Sequence, residues 1–253
     1  WPDCCVIVAS IRASKQHGGA FHLRPGMAYS AVKKAAETEN LPAVQKGCEN
    51  LARNIEIAKM FGVPVVVAIN RFTTDTDKEV ELVRKMALDA GADGAAPTEC
   101  WAKGGEGALE LADTVLKVIK EKPTKRQPLY EDEAPVGEKI EAFATKVHGA
   151  DGIAYAPEAL SKLRLYEELD FRADGKRLTV NMAKTHLSLA HDLNMLGVPK
   201  NYKLPIRDIR ASAGAGFYYP LCGVFPTMPG LPTKPAFLPV DVDIETGRIK
   251  GLF

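Results

Sequence analysis

Three stretches of this 253-residue chain place chemistry-bearing side chains just past an apolar run. The most prominent is Val63 to Thr76, VPVVVAINRFTTDT, where a β-branched run gives way abruptly to Asn70, Arg71, Phe72, Thr73, Thr74, Asp75 and Thr76. The first stretch, CCVIVA at residues 4 to 9, is followed by Arg12, Lys15, His17 and the pair Gly18 and Gly19. The third runs from Gly94 to Gly107 and carries Trp101, Lys103, Gly104 and Gly105 ahead of a helical pattern. Cations and glycines at a strand end could cradle an anion, because backbone amides and side-chain charge then point the same way. Each stretch also reads as an ordinary turn, and a glycine-rich loop alone is weak grounds for a site. Trp101, taken by itself, is read more readily as a core residue than as a ligand contact. Its place at a strand end parallel to that of Phe72 favours contact with a ligand.

The elements that would position these residues follow from periodicity. Short apolar runs bounded by polar residues read as buried parallel strands, and open α/β sheets bind ligands beyond the carboxyl ends of such strands. Strands are expected at 4 to 9 and at 63 to 69, with a short third one ending near Cys100 or Trp101. Residues 10 to 19 read as a loop, and 20 to 41 as irregular. Helices are expected from about Ala43 to Phe61, Asp77 to Ala90, Ala108 to Lys120 and Val136 to His148, from apolar stripes at spacings of three and four. Gly62 suits a left-handed helix end, and Thr76 with Glu79 fits a capping box. Strand and helix alternating three times is the doubly wound, mostly parallel α/β pattern. Beyond a charged connector at Pro123 to Pro135 the texture changes. A polar helix at 157 to 170, a strand at Leu178 to Met182, eight of the 17 prolines from Pro199 onward and a terminal hairpin around Glu245 to Gly247 point to an α+β domain. The expected division is 1–148 and 149–253.

Bulk properties narrow the function. With 46% hydrophobic residues the chain can build a sizeable core, and 33 basic against 32 acidic residues leave no dominant surface for nucleic acid or anionic membrane. The five cysteines are odd in number and show neither CxxC nor Cys/His metal spacing, which suits reduced thiols in an intracellular protein. His186 and His191 read as hydrogen-bonded structural residues rather than a metal pair. No G-x-G-x-x-G follows the first strand, which counts against a nucleotide-binding oxidoreductase. The chain opens at Trp1 and almost at once enters a core strand, so it is expected to be the later part of a longer protein.

Taken together, VIVASIRASKQHGG, ENLARNIEIAKMFGVPVVVAINRFTTDT, ECWAKGGEGALELA, HGADGI, MAKTHLSL, PIRDIRASAGAGF, TMPGLPTKPA and the terminal GLF resemble the formate–tetrahydrofolate ligase family. They also resemble the synthetase module of C1-tetrahydrofolate synthases. The resemblance covers almost the whole chain and implies a P-loop NTPase-like family fold. It implies an ATP-dependent ligation in which formate attacks the γ-phosphate of MgATP and the resulting formyl phosphate is captured by N10 of tetrahydrofolate. It further implies a monovalent cation, a cytoplasmic or organellar setting and a homo-oligomer. Phe72 and Trp101 match the family's pair that stacks on the folate ring, with Asn70 and Pro97 beside them. Asp75, Lys103, Gly104, Gly105, Arg12, Lys15 and His17 match positions in the phosphate and nucleotide vicinity.

The sequence departs from the pattern at Ser14 and Pro97, where apolar side chains are usual, and at Thr73, where proline often follows the phenylalanine. It contains no G-x-x-x-x-G-K-[ST], and Gly175–Lys176 lacks both the upstream glycine and the hydroxyl residue. The expected partner is therefore an N-terminal half carrying the P-loop, either upstream or as a separate chain. The alternative is a non-catalytic folate-binding or assembly module.

Overall fold

The computed structural model describes residues 1–22, 29–223, 233–235, 237–247 and 249–251. It divides into two compact units, Trp1–Gly223 and Val224–Phe253. In the first unit, β1 (Cys5–Ser10) leads directly into α1 (Ile11–His17), followed by α2 (Tyr29–Glu37) and α3 (Leu41–Met60). Then come β2 (Val65–Asn70), α4 (Asp77–Asp89), β3 (Gly94–Thr98), the single turn α5 (Cys100–Lys103) and α6 (Leu109–Glu121). The three strands form a parallel sheet in the order β1-β2-β3. Central β2 is buried from Val65 to Ile69, as its continuous apolar run requires.

A second core begins with α7 (Val136–Ala142), which runs into one π-helical turn at Phe143–Val147. β4 (Ile153–Tyr155) and α8 (Pro157–Leu169) follow, with a small hairpin of β5 (Arg172–Ala173) and β6 (Lys176–Arg177). Then come β7 (Thr179–Val180), β8 (Leu204–Ile206), β9 (Asp208–Ser212) and β10 (Phe217–Leu221). β4 pairs in parallel with β8, while β10 lies between β7 and antiparallel β9. Ile140, Leu178, Leu204, Ile206 and Ile209 form its buried centre. In the second unit β11 (Asp241–Val242) pairs antiparallel with β12 (Ile249–Lys250), which is the expected hairpin. Most of the TMPGLPTKPA segment and the last two residues lie outside the described residues.

Three expectations are corrected. Residues 10 to 19 are not a loop: Ser10 caps α1 by accepting from the Ala13 amide, and Gly18 closes it. The glycine pair suggested a turn, but it only ends a seven-residue helix. The stretch from 20 to 41 contains α2. Finally, β3 stops at Thr98, so Trp101 lies on a helical turn instead of a strand. The capping box at Thr76 and Glu79 is present, and Gly62 takes a positive φ of 70°.

Helices α1 and α3 approach closely through two glycines. A Cβ on Gly47 would lie 1.8 Å from the Ser14 carbonyl oxygen, and one on Gly18 would lie 1.9 Å from that of Ala43. Backbone cannot yield as a flexible side chain can. Gly47→Ala should therefore cost about 1–3 kcal/mol or more, as overpacking does. Urea denaturation checks this, and an unchanged midpoint would contradict the close approach.

Candidate functional site

The register of the sheet brings Ser10, Asn70 and Thr98 side by side at the carboxyl ends of the strands. Arg71 extends the ladder by donating its amide to the Thr98 carbonyl at 3.0 Å. The chain then turns back on itself. The Phe72 amide donates to Asp75 Oδ2 at 2.9 Å, and the Asp75 amide donates to the Phe72 carbonyl at 3.0 Å. Asp75 is 3% exposed, and its Oδ1 has no hydrogen-bond partner. Burial raises its pKa against the opposing pull of the Phe72 amide, Lys15 and Arg12. Asp75 therefore fixes the turn that presents Phe72.

Arg12 crosses from α1 and lays its guanidinium over the Phe72 ring, 4.1 Å from the centroid. It also reaches Thr74 Oγ1 at 3.5 Å and Glu37 at 3.7 Å. Phe72 thus has one face covered by a cation and lines a cleft of 360 Å³ together with Ser10, His17, Asn50, Asn54 and Asn70. His17 accepts the Gly197 amide on Nδ1 at 3.0 Å, and Asn50 donates to the Gly197 carbonyl at 2.7 Å. Burial lowers the His17 pKa, which suits a neutral ring with an acceptor nitrogen facing that amide. Asn54 in turn donates to the side chain and carbonyl of Asn50.

Sequence reasoning missed Asn50 and Asn54. Both lie on α3 outside its apolar stripe, and only the fold shows that they share a cleft with Phe72.

Lys15 has a different role from the other cations. Its ammonium is fully buried, 2.8 Å from Glu79 Oε1 and 3.0 Å from the Ala36 carbonyl. It is consumed by this contact and is not offered to a ligand. Trp101 is 75% exposed and projects from α5, so it is not a core residue. Lys103, on the same turn, pairs with Glu99 at 2.5 Å. Gly104 and Gly105 open a 3₁₀ turn, and Gly104 has a φ of 60°. Pro97 lies in β3 opposite Ile69. These five residues stand at the neighbouring strand end and do not line the Phe72 cleft.

Among the described residues, no three His, Cys, Asp or Glu side chains converge to hold a metal ion. His191 is a ring neighbour of Tyr202 at 6.2 Å. All five cysteines are free thiols. No helix among the described residues is long and apolar enough to cross a membrane.

Comparison with known proteins bears on what this cleft serves. The family model described as formate–tetrahydrofolate ligase matches residues 1–253. The chain belongs to the formate–tetrahydrofolate ligase family. It is 54% identical over 252 residues to the formate–tetrahydrofolate ligase of Desulforamulus reducens, covering all of this chain and 43% of that protein. It is 47% identical to the cytoplasmic C-1-tetrahydrofolate synthase of Homo sapiens, of which it covers 26%. It is 46% identical to the mitochondrial monofunctional C1-tetrahydrofolate synthase of Mus musculus, of which it covers 25%. The chain thus spans less than half the length of these relatives of the ligase family.

Proposed function

We propose that this chain supplies the folate-stacking wall of an ATP-dependent formate–tetrahydrofolate ligase, while phosphate handling comes from a P-loop-bearing, NTPase-like segment outside it. Formate oxygen attacks the γ-phosphorus of ATP and ADP departs. N10 of tetrahydrofolate then attacks the formyl carbon and phosphate departs. A pterin meets Phe72, with Trp101 as the second ring and Asn70 and Pro97 beside them. Arg12 holds the phenylalanine ring from its far side, and His17 and Asn50 brace the cleft. Lys103, Gly104 and Gly105 border the phosphate side, whereas Lys15 and Asp75 act as positioning residues. Magnesium enters with ATP, and none of these steps is assigned to a metal held by this chain.

The observation that carries this reading is the Phe72 turn, closed by Asp75 and backed by Arg12 at the end of a parallel strand. The expectation of a further segment rests on β1, which pairs only with β2 among the described residues and leaves Val8 68% exposed. A parallel sheet is normally covered on both faces, and an exposed apolar edge is normally shielded. The proposed domain division stays at 148, and the proposed assembly is a homo-oligomer.

Tetrahydrofolate titration followed by tryptophan fluorescence tests the reading. Trp1 is the other fluorophore, stacked by Arg126 at 5.3 Å, and it sets the background. Saturable quenching is expected, and Trp101→Phe should abolish it. Phe72→Leu should weaken affinity about two- to tenfold, since ring stacking is worth ~0.5–1.5 kcal/mol. Quenching that survives in Trp101→Phe overturns the stacking role. ATP-dependent formylation by the purified chain alone overturns the division of labour. A chain that binds folate but stays inactive when supplied with the P-loop segment would favour the non-catalytic module.

A further inference from the structure

Gly197 is gripped at both of its backbone polar atoms. Its amide donates to His17 Nδ1 at 3.0 Å, and its carbonyl accepts Asn50 Nδ2 at 2.7 Å. Its φ of 71° lies in the left-handed region that glycine adopts without strain. A backbone amide only donates and a backbone carbonyl only accepts, so each contact fixes what the side chain offers elsewhere. His17 must leave Nδ1 bare, and in the neutral ring that places the proton on Nε2. Asn50 must turn its nitrogen to Gly197 and its oxygen to Asn54. Asn54 Nδ2 donates to that oxygen at 3.1 Å and to the Asn50 carbonyl at 2.8 Å. The nitrogen of Asn54 is thereby spent, and Oδ1 is what it has left to offer.

His17 Nε2 and Asn54 Oδ1 have no hydrogen-bond partner among the described residues, and both side chains line the cleft beside Phe72. The cleft thus holds one N–H donor and one acceptor whose polarities are set from behind. Among the described residues no Asp or Glu lines it, so a cationic ring finds no counter-ion there. A ring that fits this pair carries an acceptor next to a donor on one edge. The lactam of a pterin does: its 4-carbonyl accepts, and the adjacent N3–H donates. Exchanging the 4-oxo group for an amino group reverses both, because the amino group donates and N3 becomes an acceptor. Donor then meets donor, and acceptor meets acceptor.

We propose that His17 and Asn54 determine specificity for the pterin ring: His17 Nε2–H donates to the 4-carbonyl and Asn54 Oδ1 accepts N3–H, with Asn50 and Gly197 as the positioning residues behind them. This rests on the reading that the pterin lies against Phe72. It adds which edge of the ring enters the cleft and what turns away a ring of the opposite polarity.

Calorimetric titration of the full chain at neutral pH, with tetrahydrofolate and with its 2,4-diamino counterpart, tests it. Tetrahydrofolate is expected to bind at least about tenfold tighter, because the wrong ring leaves polar groups unpaired. His17→Asn keeps an oxygen where Nδ1 accepts the Gly197 amide but has nothing in place of Nε2. It should bring the two affinities to within about threefold of each other. Asn54→Leu leaves the Gly197 contacts alone and should narrow the ratio likewise, so it decides the matter if His17→Asn fails to fold. Phe72→Leu should weaken both ligands alike, which reports on the stacking reading separately. Equal binding of the two ligands by the unmodified chain overturns the proposal and leaves that reading intact. So does a ratio that survives both His17→Asn and Asn54→Leu, the result expected of residues that only brace the loop. Binding of neither ligand overturns both.

Discussion

Lys15→Met should destabilise the protein by about 3–5 kcal/mol, the usual cost of leaving one member of a buried ion pair without its partner. Lys15 and Glu79 both have fully buried side chains, and their charged atoms lie 2.8 Å apart. Glu79 Oε1 also accepts the Asn40 amide at 2.9 Å, at the start of α3, and Oε2 accepts the Thr76 amide at 3.3 Å, at the start of α4. Lys15 donates to the Ala36 carbonyl at the end of α2. One ion pair thus ties four helices behind the Phe72 turn. Losing the ammonium leaves Glu79 buried close to a second buried carboxylate, Asp75, with amides supplying only part of its compensation.

The pH dependence gives a second readout. Burial tends to raise the Glu79 pKa, but Lys15 and the amides of Asn40 and Thr76 outweigh it and hold it below the usual range. A carboxylate depressed in the folded state contributes stability above its unfolded pKa and loses it as pH falls. In Lys15→Met burial regains the upper hand, so the sign reverses and acid should narrow the gap to wild type. Lys15→Met with Glu79→Gln should recover most of the loss, because glutamine still accepts the Asn40 amide. Urea denaturation at neutral and mildly acidic pH measures all of this. A loss below about 1 kcal/mol in Lys15→Met would contradict the buried pair.

This pair marks where the sequence stopped being informative. Glu79 was legible as a capping residue because the partners of a capping box lie three residues apart. Its second role depends on Lys15, 64 residues away, and no local pattern carries that. Strands β1 and β2, and helices α3, α4 and α6, were legible because each has a long apolar period and a clear stop. Helix α1 was not: seven residues give less than two full turns of periodicity, and its glycine pair resembles a turn. The position of Phe72 at a strand end was legible from the break in polarity at Asn70. Its support by Arg12, and the grip of His17 and Asn50 on Gly197, were not. Those contacts join residues up to 180 positions apart. The exposed Trp101 went against its composition-based reading, because the strand that would have buried it ends at Thr98.

Acid should weaken the fold through His148 before most carboxylates titrate. Burial, reinforced by the nearby Lys184, takes its pKa from an ordinary 6.5 down to about 4, with the Leu189 backbone opposing. His148 caps the π-helical turn after α7, and its carbonyl accepts the Tyr202 hydroxyl at 2.6 Å. Both ring nitrogens are buried, so the ring is held as a neutral group. As pH falls below 6.5 the unfolded chain takes up a proton there and the native state does not, so stability is lost until the native ring titrates as well. At about 1.4 kcal/mol per pH unit, the loss between pH 6.5 and 5 amounts to roughly 2 kcal/mol, in a window where carboxylates change little. His17, also depressed by burial, adds a contribution of the same sign. The comparison that isolates His148 is therefore wild type against His148→Leu, which keeps the apolar volume and removes the titrating group. The variant should lose distinctly less stability than wild type across that window. Parallel stability curves for the two proteins would mean that the ring is hydrated in the native state and that the second core is looser around it than its packing indicates.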